Sequence, residues 1–251
     1  MKYEDLRAIW YKEEQKAFSG WDFSYLNFRW HHEPEGWNYK AIVKEYLNSS
    51  YQLLDMGTGG GEFLLSLSHP FYNTSVTESW EPNVVLCKEK LEPLGIHVYP
   101  VLDDLLPIQD NKFDIVINRH ASYDLNEVSR VLKPGGIFIT QQVGSKNCIT
   151  FAERLNSSHL PMYEDFSLST ELPKFEISGF TVKHFDESFP ELRFSDIGAV
   201  VFWAKIIEWA FPNFSVDNNF KQLCSLQDEL LQKGFVSAVQ HRFIVVAQNM
   251  K

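Results

Sequence analysis

Asp55, Gly57, Gly59 and Gly61 stand at alternate positions in the stretch YQLLDMGTGGGEFLLSL, Tyr51 to Leu67, with Gly60 between the last two. Glycines in such a cluster let the backbone turn tightly and press against a ligand with no Cβ atoms in the way. A carboxylate before the turn, Asp55, and another after it, Glu62, suit a cationic or hydroxyl-bearing ligand. A dinucleotide fingerprint needs glycine at its first, third and sixth positions; counted from Gly57, the sixth is Glu62. No Gly-Lys-Ser/Thr follows for a phosphate loop. A further acid, Glu78, comes close to the interval of roughly 20 residues at which a carboxylate meets ribose hydroxyls, and it can accept from both vicinal hydroxyls at once. Trp80 stands where an aromatic could lie on a flat ring. Downstream, Asn118-Arg119-His120 precedes Tyr123 and Asp124, offering an imidazole that can act as a base and a guanidinium that could clamp an anion or pair with Glu78 or Asp124.

Positioning these groups requires a strand before each and a helix after. Leu53-Leu54 reads as a short buried strand, and Phe63, Leu64 and Leu67 give the helix that follows the glycines. Thr74 to Thr77 is a β-branched strand ended by Glu78. Pro82 suits a helix start, and that helix runs to Gly95. His97 to Leu102 is a third strand, ended by Asp103-Asp104, and Phe113 to Asn118 a fourth. Arg130 to Gly136, RVLKPGG, ends a helix in a proline-glycine turn before the strand Ile137 to Val143. Phe180 to Phe185 and His241 to Gln248 complete the set as a sixth strand and a final antiparallel one.

The D-x-G-x-G-x-G run from Asp55 to Gly61, the acid Glu78, the phrase NKFDIVI and the phrase RVLKPGG resemble, in order and spacing, the motifs of the class I S-adenosylmethionine-dependent methyltransferases. The resemblance spans Tyr51 to Gly144. It implies a Rossmann-like α/β fold with a seven-stranded sheet in the order 3-2-1-4-5-7-6, and S-adenosyl-L-methionine as cofactor. It places Asp55, Gly57, Thr58, Gly59 and Gly61 around the cofactor, Glu78 on the ribose, and Ser79 and Trp80 beside it. Asp103 or Asp104 would accept from the adenine amino group, Leu105 would touch the adenine edge, and Asn118 would also bind the cofactor. His120 and Arg119 are the candidate catalytic residues. Amino methyltransferases of the family carry Asn-Pro-Pro-aromatic where this chain has Asn118-Arg119, so that acceptor class loses support.

The chain has 251 residues, 44% of them hydrophobic, with a formal net charge of −10. That length allows one large domain with elaborations. The acidic balance argues against a broad nucleic-acid footprint, though a local basic patch for RNA stays open. Cys87, Cys148 and Cys224 lack metal-ligand or CxxC spacing, and the reading is of reduced core thiols and no metal site. The charged N-terminus does not suit a signal peptide, and the greasy run Ile197 to Phe211 is interrupted by Lys205 and Glu208, a buried helix rather than a membrane span. A cytoplasmic protein is expected; its oligomeric state is left open, with a monomer favoured.

Residues 1–50, rich in tryptophan, form either a satellite core or a lid, and 51–251 form the methyltransferase domain with a helical insertion at about 187–239. Two such caps facing each other over the site would shield it. Three functions compete: methyl transfer to a small molecule, methyl transfer to RNA such as ribosomal RNA, and non-catalytic cofactor binding.

Overall fold

The computed structural model describes residues 3–102, 105–155 and 165–251; Asp103 and Asp104 lie outside the described residues. The N-terminal segment carries α1 (Tyr3–Glu14), β1 (Trp30–His32) and α2 (Tyr39–Tyr46). Asn38 caps α2, its side chain accepting from the Ala41 amide, a preferred way of satisfying a free helical N–H. Alternation of strand and helix follows: β2 (Leu53–Met56), α3 (Glu62–Ser66), β3 (Thr74–Glu78), α4 (Glu81–Lys90), β4 (His97–Pro100), β5 (Phe113–Arg119), α5 (Leu125–Val131) and β6 (Leu132–Val143). After α6 (Ile149–Leu155), α7 (Leu168–Ile177) and β7 (Phe180–Ser188) come β8 (Glu191–Phe194), α8 (Ile197–Ile206), α9 (Phe220–Lys233), β9 (Val236–Val239) and β10 (Arg242–Asn249).

Seven strands form the main sheet in the order β4-β3-β2-β5-β6-β10-β7. This is the expected 3-2-1-4-5-7-6 arrangement, and β10 is antiparallel to both neighbours. Apolar residues cover both faces, Leu54, Val116 and Phe138 on one and Leu53, Ile115 and Ile139 on the other. Strands buried on both faces explain why these segments read as continuous apolar runs. The proline-glycine turn after α5 lies inside β6: the ladder to β5 passes from Leu132 to Ile137, skipping Lys133 to Gly136.

The elaborations depart from the expected pair of caps. β1 pairs antiparallel with β8, Trp30 opposite Phe194, and β8 pairs with β9, making a second, three-stranded sheet. The insertion is therefore not wholly helical. Trp10 and Leu26 from the N-terminal segment share one apolar core with Phe151 of α6, Phe202 of α8, Leu223 of α9 and Val236 of β9. α1 also pins α9, with Tyr3 bonded to Asp228. N-terminal segment and insertion are one cap. Residues 197–204 of α8 are all buried in it, which accounts for that run's apolar composition. Among the described residues no helix is long and apolar enough to cross a membrane.

Candidate cofactor and acceptor site

The glycine turn joins β2 to α3 at the carboxyl edge of the sheet, where open α/β folds bind ligands. Gly57, Gly59 and Gly61 all have left-handed backbones, with φ of 67, 64 and 80°. At Gly57 a Cβ would also overlap that of Ala121, so the loop after β5 packs directly on the turn. Neighbouring groups hold the turn's own polar atoms. Glu78 Oε2 accepts from the Gly59 amide at 2.8 Å, the Cys87 thiol donates to the Gly59 carbonyl and Lys90 Nζ to the Gly60 carbonyl. Glu62 pairs with Lys90 at 2.5 Å, so this acid braces the turn against α4.

Asp55 is buried at the end of β2 and accepts from Thr58 Oγ1 at 2.7 Å. Burial pushes its carboxyl up to about 7; the Thr58 bond and Arg119 oppose that shift, while Glu78 adds to it. Glu78 closes β3, also buried. Its Oε1 accepts from the Ser79 and Trp80 amides, and its Oε2 meets Asn83 Nδ2 at a long 3.5 Å. Asn83 Oδ1, fully buried, has no partner among the described residues. A buried acceptor left unpaired is costly, and a hydroxyl lying between Glu78 and Asn83 would satisfy it. The sequence reading missed Asn83, which nothing but the fold brings beside Glu78.

Trp80 precedes α4 and is half open to solvent. Against it lies Trp21 of the cap, ring centroids 6.4 Å apart, and Trp21 packs in turn on Trp209 of the insertion at 5.6 Å. A Cβ on Gly59 would come within 3.7 Å of the Trp21 ring, so the cap roofs the turn. Trp30 instead packs on Phe23 and Phe194 inside the cap. Leu105 is exposed, and Leu106 beside it is buried.

At the end of β5 the three candidates separate. Asn118 is fully buried; its Oδ1 accepts from Thr140 and Gln142, its Nδ2 reaches the Ser122 carbonyl, and its own carbonyl accepts from Tyr39. Its side chain is committed to joining β5 to β6. Arg119 is exposed and lies 4.5 Å over the Phe63 ring. Among the described residues no ion pair joins it to Glu78 or Asp124; the latter caps α5 by accepting from the Asn126 and Glu127 amides. His120 has a left-handed backbone, φ 63°, and is exposed. Desolvation and the nearby Arg242 and Arg119 hold its imidazole well below its ordinary pKa. Gln141 Nε2 lies 3.1 Å from its Nε2.

Two further polar groups arrive from elsewhere. Glu35, in the cap loop after β1, lies 3.4 Å from Gln141 Nε2 and 3.9 Å from Arg242 Nε. Arg242, almost wholly buried at the start of β10, donates to Asn147. Neither stands near His120 in the sequence, so no local pattern marks them.

The donor set fits the cofactor that the motifs imply. Two buried carboxylates suit a cationic, ribose-bearing molecule, the glycines open its backbone contact, and Asn83 supplies an unmet acceptor. Residues 54–140 match the model of a family described as a methyltransferase domain. A phthiotriol/phenolphthiotriol dimycocerosates methyltransferase of Mycobacterium tuberculosis is 33% identical over 87 residues. The match covers 32% of this chain and 32% of that protein, so the chain spans about a third of the length of such curated relatives. Two solved structures share the fold more widely. The YcgJ protein of Bacillus subtilis superposes with a TM-score of 0.60 at 17% identity, covering 85% of this chain and 98% of its own. A SAM dependent methyltransferase from Aquifex aeolicus gives 0.51 at 17% identity, covering 96% and 97%. Residues 54–140 thus match a methyltransferase domain, and the chain shares its fold with these two structures.

Proposed function

We propose that the protein transfers a methyl group from S-adenosylmethionine to a small-molecule acceptor held between the cap and the carboxyl ends of β5 and β6. One observation carries the cofactor half of this reading: Glu78, at the end of β3, is bonded to the Gly59 amide at 2.8 Å beside the orphaned Asn83 Oδ1. Asp55, Glu78, Asn83 and the glycine turn would hold the cofactor, and Trp80 with Trp21 would cover it. When bound, the cofactor supplies a methyl group activated on a sulfonium. The chain's own work is then to orient the acceptor, exclude water and take up a proton.

A small acceptor is consistent with the net charge of −10; an RNA substrate would ask for a basic surface. The polar acceptor side, with Arg119, His120, Glu35 and Arg242, suits an acceptor with its own hydrogen-bonding groups. Calorimetric titration with S-adenosylmethionine and with S-adenosylhomocysteine, against NAD as control, tests the reading. Saturable binding of the first two alone is expected; binding of NAD alone would replace it.

A further inference from the structure

Gln141 lies between three groups that together assign its orientation and that of its neighbours. Trp37 Nε1 donates to Gln141 Oε1 at 2.8 Å. An indole N–H is a donor only, so that end of the amide is its oxygen. The opposite end, Nε2, faces His120 Nε2 at 3.1 Å and Glu35 Oε1 at 3.4 Å. An amide nitrogen donates and does not accept, so His120 Nε2 must accept, and the ring's proton resides on Nδ1.

We propose that Gln141 is a positioning residue that holds His120 as the neutral Nδ1–H tautomer, leaving Glu35 rather than His120 to take the acceptor's proton. The proposal rests on the methyl-transfer reading for its chemistry, and on geometry alone for its tautomer. A protonated ring would set an Nε2–H donor against the Gln141 donor. The charged groups facing the ring also oppose protonation: Arg119 at the end of its own strand and Arg242 from β10. His120 is further fixed by its backbone, whose amide donates to the Gln141 carbonyl at 2.8 Å. The next residue, Ala121, packs against Gly57, which ties this backbone to the glycine turn.

Glu35 has the complementary properties. Its contacts to Gln141 and Arg242 are both long, which leaves lone pairs to accept another proton donor. Burial raises its carboxyl from the ordinary value, with Arg242 and Arg119 opposing, the direction that strengthens a base. In the transfer, the acceptor's nucleophilic atom forms a bond to the methyl carbon of S-adenosylmethionine, and the carbon–sulfur electron pair stays on sulfur. The acceptor's O–H or N–H proton passes to a Glu35 oxygen and then to water.

Nitrogen-15 histidine spectra of the full, ligand-free chain test the tautomer, with His120→Asn identifying the resonance. The expected spectrum has a protonated Nδ1 and a bare Nε2, unchanged to well below pH 6.5. Gln141→Glu should switch the proton to Nε2, because a carboxylate accepts, and raise the titration midpoint. An Nε2–H ring in the wild type, or no switch in Gln141→Glu, overturns the proposal. On the kinetic side, Glu35→Gln should lower kcat by about 10²–10⁴-fold, the usual worth of a general base, with calorimetric S-adenosylmethionine affinity unchanged. A greater loss in His120→Asn than in Glu35→Gln overturns the assignment of the base. Failure to bind S-adenosylmethionine would sink the methyl-transfer reading, while the histidine spectrum still decides the tautomer.

Discussion

Trp21 and Trp80 lie with ring centroids 6.4 Å apart over the glycine turn, one delivered by the cap and the other by the residue that opens α4. Trp209 also packs on Trp21, at 5.6 Å, so three indoles from three distant segments meet here. Aromatic pairs of this kind contribute about 0.5–1.5 kcal/mol beyond their buried area. Trp21→Ala should therefore weaken cofactor binding by a few-fold to roughly tenfold, with no loss of helical signal in circular dichroism. Cofactor titration should also change tryptophan emission in the wild type and change it less in Trp21→Ala. An unaltered emission in both would place the cofactor away from this roof.

The buried acids make the second case. Glu78→Ala removes the acceptor of the Gly59, Ser79 and Trp80 amides together with any bond to ribose. Hydrogen bonds to a charged group contribute about 1.5–3 kcal/mol, so affinity should fall at least about tenfold in calorimetry. Asn83→Leu removes the orphaned Oδ1 and should also weaken binding, while leaving the ligand-free protein as stable or more so in urea. A loss of stability in Asn83→Leu without loss of affinity would make Asn83 a packing residue alone.

Asp55 provides a pH signature. Its carboxyl is raised to about 7 in the folded chain, above its ordinary value near 3.9. Between those values the native state holds the proton that the unfolded state has lost. Its contribution to stability is thus fully present below about pH 4 and is lost as pH rises through 7. Cofactor binding should show the opposite trend, since a cation favours the ionised carboxylate: affinity rises from pH 6 to pH 8. At pH 6 binding should release protons, seen as heats that differ between buffers of unlike ionisation enthalpy. Asp55→Asn should abolish that buffer dependence; its persistence would assign the proton to another group.

Gly57 is where the turn and the loop after β5 touch. Alanine there would need a left-handed backbone, which costs about 1–2 kcal/mol, and would overlap the Ala121 Cβ. Gly57→Ala should lower the thermal midpoint and impair both cofactor binding and the His120 geometry. Gly234, also left-handed but with open space around it, is the control: alanine there should cost stability alone.

The main sheet was legible because β2, β3 and β5 are short, buried runs each followed by a helix, so local periodicity and chain order agree. Glu78 was legible for the same reason: it is the strand-ending acid at a fixed distance from the glycines. The cap sheet was not. β1 is three residues long, and its partner at Phe194 is more than half the chain away, so nothing local distinguishes Trp30–His32 from a loop. The Trp37, Gln141, His120 and Glu35 cluster escaped likewise, since it joins side chains from the cap, β5 and β6 that meet only after folding. Arg119 and His120 were visible as chemistry. Their roles depend on Phe63, Gln141 and Arg242, which only the fold assembles.

The central claim is methyl transfer, and its most direct test is the movement of a labelled methyl group. The protein would be incubated with methyl-labelled S-adenosylmethionine and a cell extract, then separated into RNA, protein and small-molecule fractions. Label should enter the small-molecule fraction with the wild type and fall sharply with Glu78→Ala. Label in RNA or protein would contradict the small-molecule acceptor. No transfer to any fraction, at cofactor concentrations that saturate the site in calorimetry, would contradict methyl transfer itself.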